Sequence, residues 1–292
     1  MAPPAGAPGA PACWSALSTP ADEAGVDSLW VMDHFFQIRI SGLPPESPMP
    51  EAYATLAFLG GLTRRIRLGT LVTSVAYRHP GVLVKAVTSL DVLTGGRVIF
   101  GAEGLGIPFP SLAERFERFE RLEELLQIAH QMWRGDQSPY LGQHYQLVRP
   151  LNSPNSLQRP HPPILIGGSG ERKTLRLVAR YADACNLFDM RNNSFHDDLE
   201  HKLRVLRDHC DAAGRDQAEI EKTVTTALEL GEDRQAGLAD LLSHLAELAA
   251  LGIDHVLVSP RQSWDDVTFD AIASILPQIH AAVLASTGPA RS

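Results

Sequence analysis

Ile164-Leu165-Ile166-Gly167-Gly168-Ser169-Gly170-Glu171 is a short apolar run that breaks into glycines and leads into a helical pattern. Two isoleucines around a leucine favour a buried strand. The glycines turn the chain, and Glu171 to Tyr181 then follows helical spacing. Strand, tight turn and helix make the βα unit of a parallel sheet. The same unit recurs along the chain. Further candidate strands are Ser28–Met32, Ile66–Val72, Arg97–Phe100, Ala184–Leu187, Thr223–Leu228 and His255–Ser259. Amphipathic stretches separate them: Pro50 to Leu62, Gly81 to Leu93, Ser194 to Ala212, Gln235 to Leu251 and Asp265 to Val283. The clearest helix starts at Ser111, where Ser111 and Glu114 fit a capping box. Leu112, Phe116, Phe119, Leu122, Leu126, Ala129 and Trp133 then recur at three- and four-residue steps.

Seven strands alternating with helices predict a parallel sheet covered by helices. An open doubly wound sheet and a closed (β/α)8 TIM barrel both fit that alternation. About 270 of the 292 residues follow the opening segment, a length suited to a barrel. The eighth strand would lie before Ala21. Met1 to Pro20 is mostly Ala, Pro and Gly, with no basic start and no long apolar run, so it does not read as a secretory signal. Pro3, Pro4, Pro8 and Pro11 each lack an amide donor, which opposes a central strand or helix. The expectation is a disordered tail over 1–20 and one barrel domain over 21–292. Gly135 to Pro163 reads as an excursion between a helix and the next strand, and no internal repeat is evident.

Composition excludes several functions. With 26 Lys+Arg against 34 Asp+Glu the chain is acidic, unlike a general nucleic-acid binder. No run approaches the roughly 18–20 apolar residues of a membrane span. Cys13, Cys185 and Cys210 form no CxxC, which suits a reducing cytoplasm. No GxxxxGK[ST] and no GxSxG occurs, and Gly101, Gly104 and Gly106 do not make a GxGxxG. His196, Asp197, His201, His209 and Cys210 share one helix without an HExxH, so a solvated face is expected there and no metal.

Three places carry chemistry. The strand Ser28–Met32 ends in Asp33-His34. In a parallel barrel the C-terminal strand ends face the active site, and an ionisable pair there can orient a ring or move a proton. A histidine packing a loop is the competing reading. The strand Ile66–Val72 runs on to Thr73 and Ser74, whose hydroxyls, with that of Thr70, point to the same end or reflect ordinary strand preference. Gly167 to Gly170 before a helix can hold a phosphate on backbone amides, or be a plain βα turn. Glu171 sits oddly beside an anion, although an acidic first turn also suits a helix N-terminus.

Taken in order, these stretches resemble a known family. Ala24-Gly25-Val26-Asp27-Ser28-Leu29-Trp30-Val31-Met32-Asp33-His34-Phe35 is similar to the second strand of the luciferase-like oxidoreductases. Arg67-Leu68-Gly69-Thr70-Leu71-Val72, then Tyr77-Arg78-His79-Pro80, resembles their third strand and the start of the next helix. Leu90 to Arg97, Pro108 to Gln127, Arg159 to Gly168 and Ala182 to Asn186 continue the likeness. It is strongest with the branch that uses the deazaflavin coenzyme F420. The resemblance implies a (β/α)8 barrel with the cofactor at its C-terminal face and hydride transfer to or from a small organic molecule. Asp33 and His34 are then expected at the ring, with His34 as proton partner. Thr70, Leu71 and Val72 are expected as a strand bulge behind the ring. Gly167, Gly168 and Ser169 are expected at the phosphate, helped by Thr174, with Asn186 on a strand facing the site. Flavin mononucleotide (FMN) with oxygen activation is the alternative, as is a degenerate non-catalytic barrel. A homodimer is compatible with the family.

Two departures from the family pattern stand out. The first strand is replaced by the Pro/Ala/Gly segment, so closure is expected to be poor or to use an irregular piece such as Cys13–Leu17. The loop after strand four is shortened to Phe100 through Pro108, which removes a family proton donor and leaves Glu103 as the only carboxylate there.

Overall fold

A computed structural model describes residues 10–38, 44–104, 112–189, 198–260 and 265–287. In chain order the elements are α1 (Ala10–Ala24), β1 (Ser28–Val31), α2 (Ala52–Leu62), β2 (Arg67–Thr70), β3 (Thr73–Ser74), α3 (Pro80–Thr94), β4 (Val98–Glu103) and α4 (Leu112–Trp133). The second half has β5 (Tyr140–Leu141), β6 (Gln146–Leu147), β7 (Ile164–Gly167), α5 (Thr174–Tyr181), β8 (Ala184–Asp189) and α6 (Leu199–Ala213). It ends with β9 (Glu221–Leu228), α7 (Arg234–Ala250), β10 (His255–Pro260) and α8 (Asp266–Thr287).

All seven expected strands form. They pair in parallel in the order β1-β2-β4-β7-β8-β9-β10, with β3 also on β4. The result is a curled parallel sheet with helices outside it, compatible with the expected (β/α)8 barrel. β5 and β6 make a separate antiparallel hairpin inside the expected excursion. The Glu124 carboxylate of α4 holds that hairpin by accepting N–H bonds from Gln143, His144 and Tyr145. The proposed cap at Ser111 and the shortened loop beyond Gly104 lie outside the described residues.

Two apolar layers flank the sheet. Outside it, Leu56 and Leu59 of α2, Leu83 and Val87 of α3, and Leu122 and Leu126 of α4 pack on Leu68, Phe100 and Ile166. Inside the curl, Trp30, Leu71, Val72, Ile99, Leu165 and Ala184 fill the barrel. Strand alternation explains the split: Ile164 and Ile166 face helices while Leu165 faces inward.

The opening segment corrects one expectation. Residues 10–20 are not a tail; they form most of α1, which packs against α2 and α8. Cys13–Leu17, expected as an irregular strand substitute, is helical. Pro11 sits in the first turn, where its missing N–H has no intrahelical partner to lose. Pro20 is inside the helix, and tertiary contacts outweigh its propensity cost. One such contact is polar. Buried Asp22 accepts backbone N–H bonds from Arg64 at 2.9 Å, Arg65 at 2.7 Å and Ile66 at 2.6 Å, locking α1 onto the start of β2. Burial opposes its charge, but those three amides and Arg65 hold the carboxyl below its ordinary range.

Among the described residues no strand pairs between β1 and β10. Side chains span that seam instead. Ser28 Oγ lies 3.1 Å from His255 Nε2, and His255 Nδ1 lies 3.1 Å from Glu221 Oε1. Trp30 Nε1 donates to Ser28 Oγ at 2.8 Å, and Arg67 pairs with Glu221 at 3.9 Å. The barrel is therefore closed at this floor by a polar cluster rather than by a backbone ladder.

Candidate active site

The register of β4 against its neighbour locates a bulge. Leu68 and Gly69 of β2 pair with Val98 and Ile99, and Thr73 and Ser74 of β3 pair with Ala102 and Glu103. From 69 to 73 is four steps, while 99 to 102 is three, so one extra residue sits at Leu71–Val72. The peptide bond between these two residues is cis. Buried hydroxyls support the bulge: Thr70 Oγ1 donates to Gly101 O at 3.0 Å and lies 2.7 Å from Thr73 Oγ1. Thr73 Oγ1 in turn lies 2.7 Å from Tyr53 Oη. Burial raises the Tyr53 phenol well above its ordinary value, so it stays neutral. The Thr70 hydroxyl is thus bonded within the protein, and Leu71 and Val72 present apolar surface.

Asp33 follows β1 and is buried. Arg78 grips it bidentately, Nη1 to Oδ2 at 2.6 Å and Nη2 to Oδ1 at 2.9 Å. Arg78 also pairs with Glu51, the N-cap of α2, and lies 4.9 Å from the centre of the Tyr53 ring. Burial works against the guanidinium charge, yet the Asp33 and Glu51 carboxylates hold its pKa above the ordinary value. Both Asp33 oxygens are therefore paired with one guanidinium. His34 is next, half-buried, and then exposed Phe35, whose ring meets that of Tyr77 at 4.4 Å.

Across the barrel mouth β7 ends in the glycine turn. A Cβ on Gly167 would meet both Val72 methyls at 3.1 Å, so the turn abuts the bulge. Gly168 has φ +105°, a backbone conformation that L side chains rarely adopt. Its N–H bonds Asn186 O at 3.1 Å, while the amides of Ser169 and Gly170 find no acceptor among the described residues. Thr174 opens α5 and is buried beside Gly168 and Gly170. Glu171 is directed away: Lys202 Nζ reaches its Oε1 at 2.5 Å and His201 Nε2 at 3.2 Å. The Lys202 hydrogen bond leads in lowering the Glu171 pKa. An apolar bulge beside a glycine turn that opens a helix fits a flat heterocycle carrying a phosphate.

Asn186 lies deep in the barrel. Its amide donates to Thr223 Oγ1 at 2.9 Å and accepts from Thr225 Oγ1 at 3.1 Å. It lies on the same side of β8 as Ala184, with its polar atoms engaged by β9. Glu103, set aside in the sequence, ends β4 on the same inward register as Ile99 and Gly101. Burial pushes its carboxyl up to about 8; Arg118 pulls it down and Asp33 pushes it further up. The sequence also left Arg78, Glu51 and Tyr53 unassigned. Tyr77-Arg78-His79-Pro80 was a visible motif, but Arg78 meets Asp33 across 45 positions, a distance local patterning does not span.

The chain resembles known proteins in sequence and in fold. The family model for luciferase-like monooxygenases matches residues 4–282. The F420-dependent glucose-6-phosphate dehydrogenase of Nakamurella multipartita is 30% identical over 235 residues, covering 77% of this chain and 65% of that protein. The phthiodiolone/phenolphthiodiolone dimycocerosates ketoreductase of Mycobacterium tuberculosis is 28% identical over 290 residues, covering 87% and 71%. The chain thus spans just under two thirds of the dehydrogenase. An F420-dependent secondary alcohol dehydrogenase in complex with an F420–acetone adduct superposes with a TM-score of 0.76 at 14% identity, over 92% of this chain and 95% of that one. Monooxygenase RslO1 from Streptomyces bottropensis gives 0.73 at 20% identity, over 91% and 92%. At such identities the solved structures speak for the fold.

Proposed function

The chain belongs to the luciferase-like monooxygenase family, matching it over residues 4–282, and from that premise we propose that it is a coenzyme F420-dependent oxidoreductase. It transfers a hydride between the deazaflavin and an organic substrate. The observation that supports this most is the apolar Leu71–Val72 bulge, set between the Asp33-His34 end of β1 and the glycine turn of β7. The 30% identity to an F420-dependent dehydrogenase favours deazaflavin over FMN.

When bound, the deazaflavin supplies the hydride-carrying ring. The residues supply position and proton management. Leu71 and Val72 keep water from one face of the ring. The amides of Ser169 and Gly170 and the Thr174 hydroxyl hold the phosphate. Oxidising an alcohol removes a hydride from carbon and a proton from oxygen; the His34 imidazole takes that proton. In the reverse direction it returns the proton to a carbonyl oxygen.

Loss of the oxidised deazaflavin chromophore on mixing with secondary alcohols or sugar phosphates tests the reaction. His34→Ala is expected to lower turnover by roughly 100-fold and to leave thermal stability close to wild type. Equal loss of activity and stability would make His34 a packing residue. Oxygen-dependent turnover with FMN would move the assignment to a monooxygenase.

A further inference from the structure

We propose that Arg78 is a positioning residue for hydride transfer, holding the Asp33-His34 end of β1 against the Leu71–Val72 bulge. The inference rests on the F420-dependent reading for the reaction, but its geometry stands on the chain alone. Arg78 lies between β3 and α3, directly before the His79 cap, whose side chain accepts from Gly81 N. The start of a helix fixes its backbone. From there its side chain crosses to two other segments. It takes both oxygens of Asp33, at 2.6 and 2.9 Å, and it reaches Glu51 at the N-terminus of α2. Its guanidinium covers the Tyr53 ring at 4.9 Å.

Tyr53 carries the connection onward. Its hydroxyl meets Thr73, Thr73 meets Thr70, and Thr70 donates to Gly101 O of β4. One continuous set of polar contacts therefore runs from the residue before His34 to both sides of the bulge. Asp33, with both oxygens committed to Arg78, acts as an anchor. His34 is the adjacent residue, so its place at the barrel mouth is set by that fork. A planar five-donor guanidinium fixes a carboxylate in orientation; an ammonium holds it only as a point charge.

Arg78→Lys tests this while keeping the charge. Deleting the charge would strand buried Asp33 and threaten folding, so the second variant is Arg78→Gln combined with Asp33→Asn. For Arg78→Lys we expect kcat to fall at least about tenfold, with KM for the organic substrate changed less than about threefold. Its thermal midpoint should stay within a few degrees of wild type. Hydrogen exchange provides a readout that needs no cofactor: amides of residues 33–37 should exchange faster in both variants, with β7 and β8 unchanged. Wild-type kcat in Arg78→Lys, or activity lost only in proportion to the folded fraction, would overturn the proposal. Unchanged exchange over 33–37 would overturn it equally. Should the wild-type protein bind no deazaflavin, the functional reading falls, and the exchange data decide the role of Arg78 alone.

Discussion

Glu103 carries the sharpest consequence at the scale of a residue. Its carboxyl has an ordinary value of 4.5 and is pushed up to about 8, by burial first and then by Asp33 against the pull of Arg118. Between those values the folded protein binds a proton that the unfolded chain has released. Stability from this group is therefore complete below 4.5 and is lost as pH rises through about 8. Glu103→Gln should remove that dependence. It should exceed wild type by about 2 kcal/mol near pH 9 and match it near pH 5, measured by urea unfolding. Equal stabilities at both pH values would show that the carboxyl is solvated. The sequence displayed Glu103 as the lone acid of a short loop but not its burial, which arises from packing between elements far apart in the chain. Asp33 was legible as the polar end of a strand; its commitment to Arg78 was not.

Among the elements, the strands were the most legible. Apolar runs ending in Asp33 or Gly167 mark their own boundaries, because a strand end at a barrel mouth exchanges core residues for polar ones and turns. Residue pattern alone runs β2 and β3 together as one strand, since a bulge changes pairing without changing composition; the bulge at Thr70–Val72 was expected from the family resemblance only. α1 was misread for another reason: its prolines lower intrinsic propensity, while contacts with α2, α8 and the amides capped by Asp22 supply what propensity lacks. The β1–β10 seam gives the prediction at this scale. His255 joins Ser28 across it and holds Glu221 below its ordinary value of 4.5. Stability from Glu221 is present above that value and is lost as pH falls through the lowered one. His255→Ala should cost about 1–2 kcal/mol at neutral pH by urea unfolding, with the gap closing in acid. A gap that persists unchanged in acid would remove Glu221 from the seam.

For the whole molecule, the curled sheet brings three distant pieces to one mouth: Asp33-His34, Leu71–Val72 and Gly167 to Ser169. Each was visible alone as an ambiguous signal, a polar strand end, ordinary strand residues and a glycine turn. Their ordered likeness to one family, and the close approach of Gly167 to Val72, are what join them into one candidate site. No described helix is long and apolar enough to cross a membrane. Among the described residues no cluster of three or more His, Cys, Asp or Glu could hold a metal ion. The chemistry proposed for this mouth turns on the deazaflavin. The most direct test is a fluorescence titration of the purified protein with coenzyme F420 and, separately, with FMN. For an F420-dependent oxidoreductase the expected result is saturable F420 binding in the micromolar range, weaker FMN binding, and F420 affinity reduced at least about tenfold in Gly168→Val. A folded protein that binds neither cofactor would contradict it.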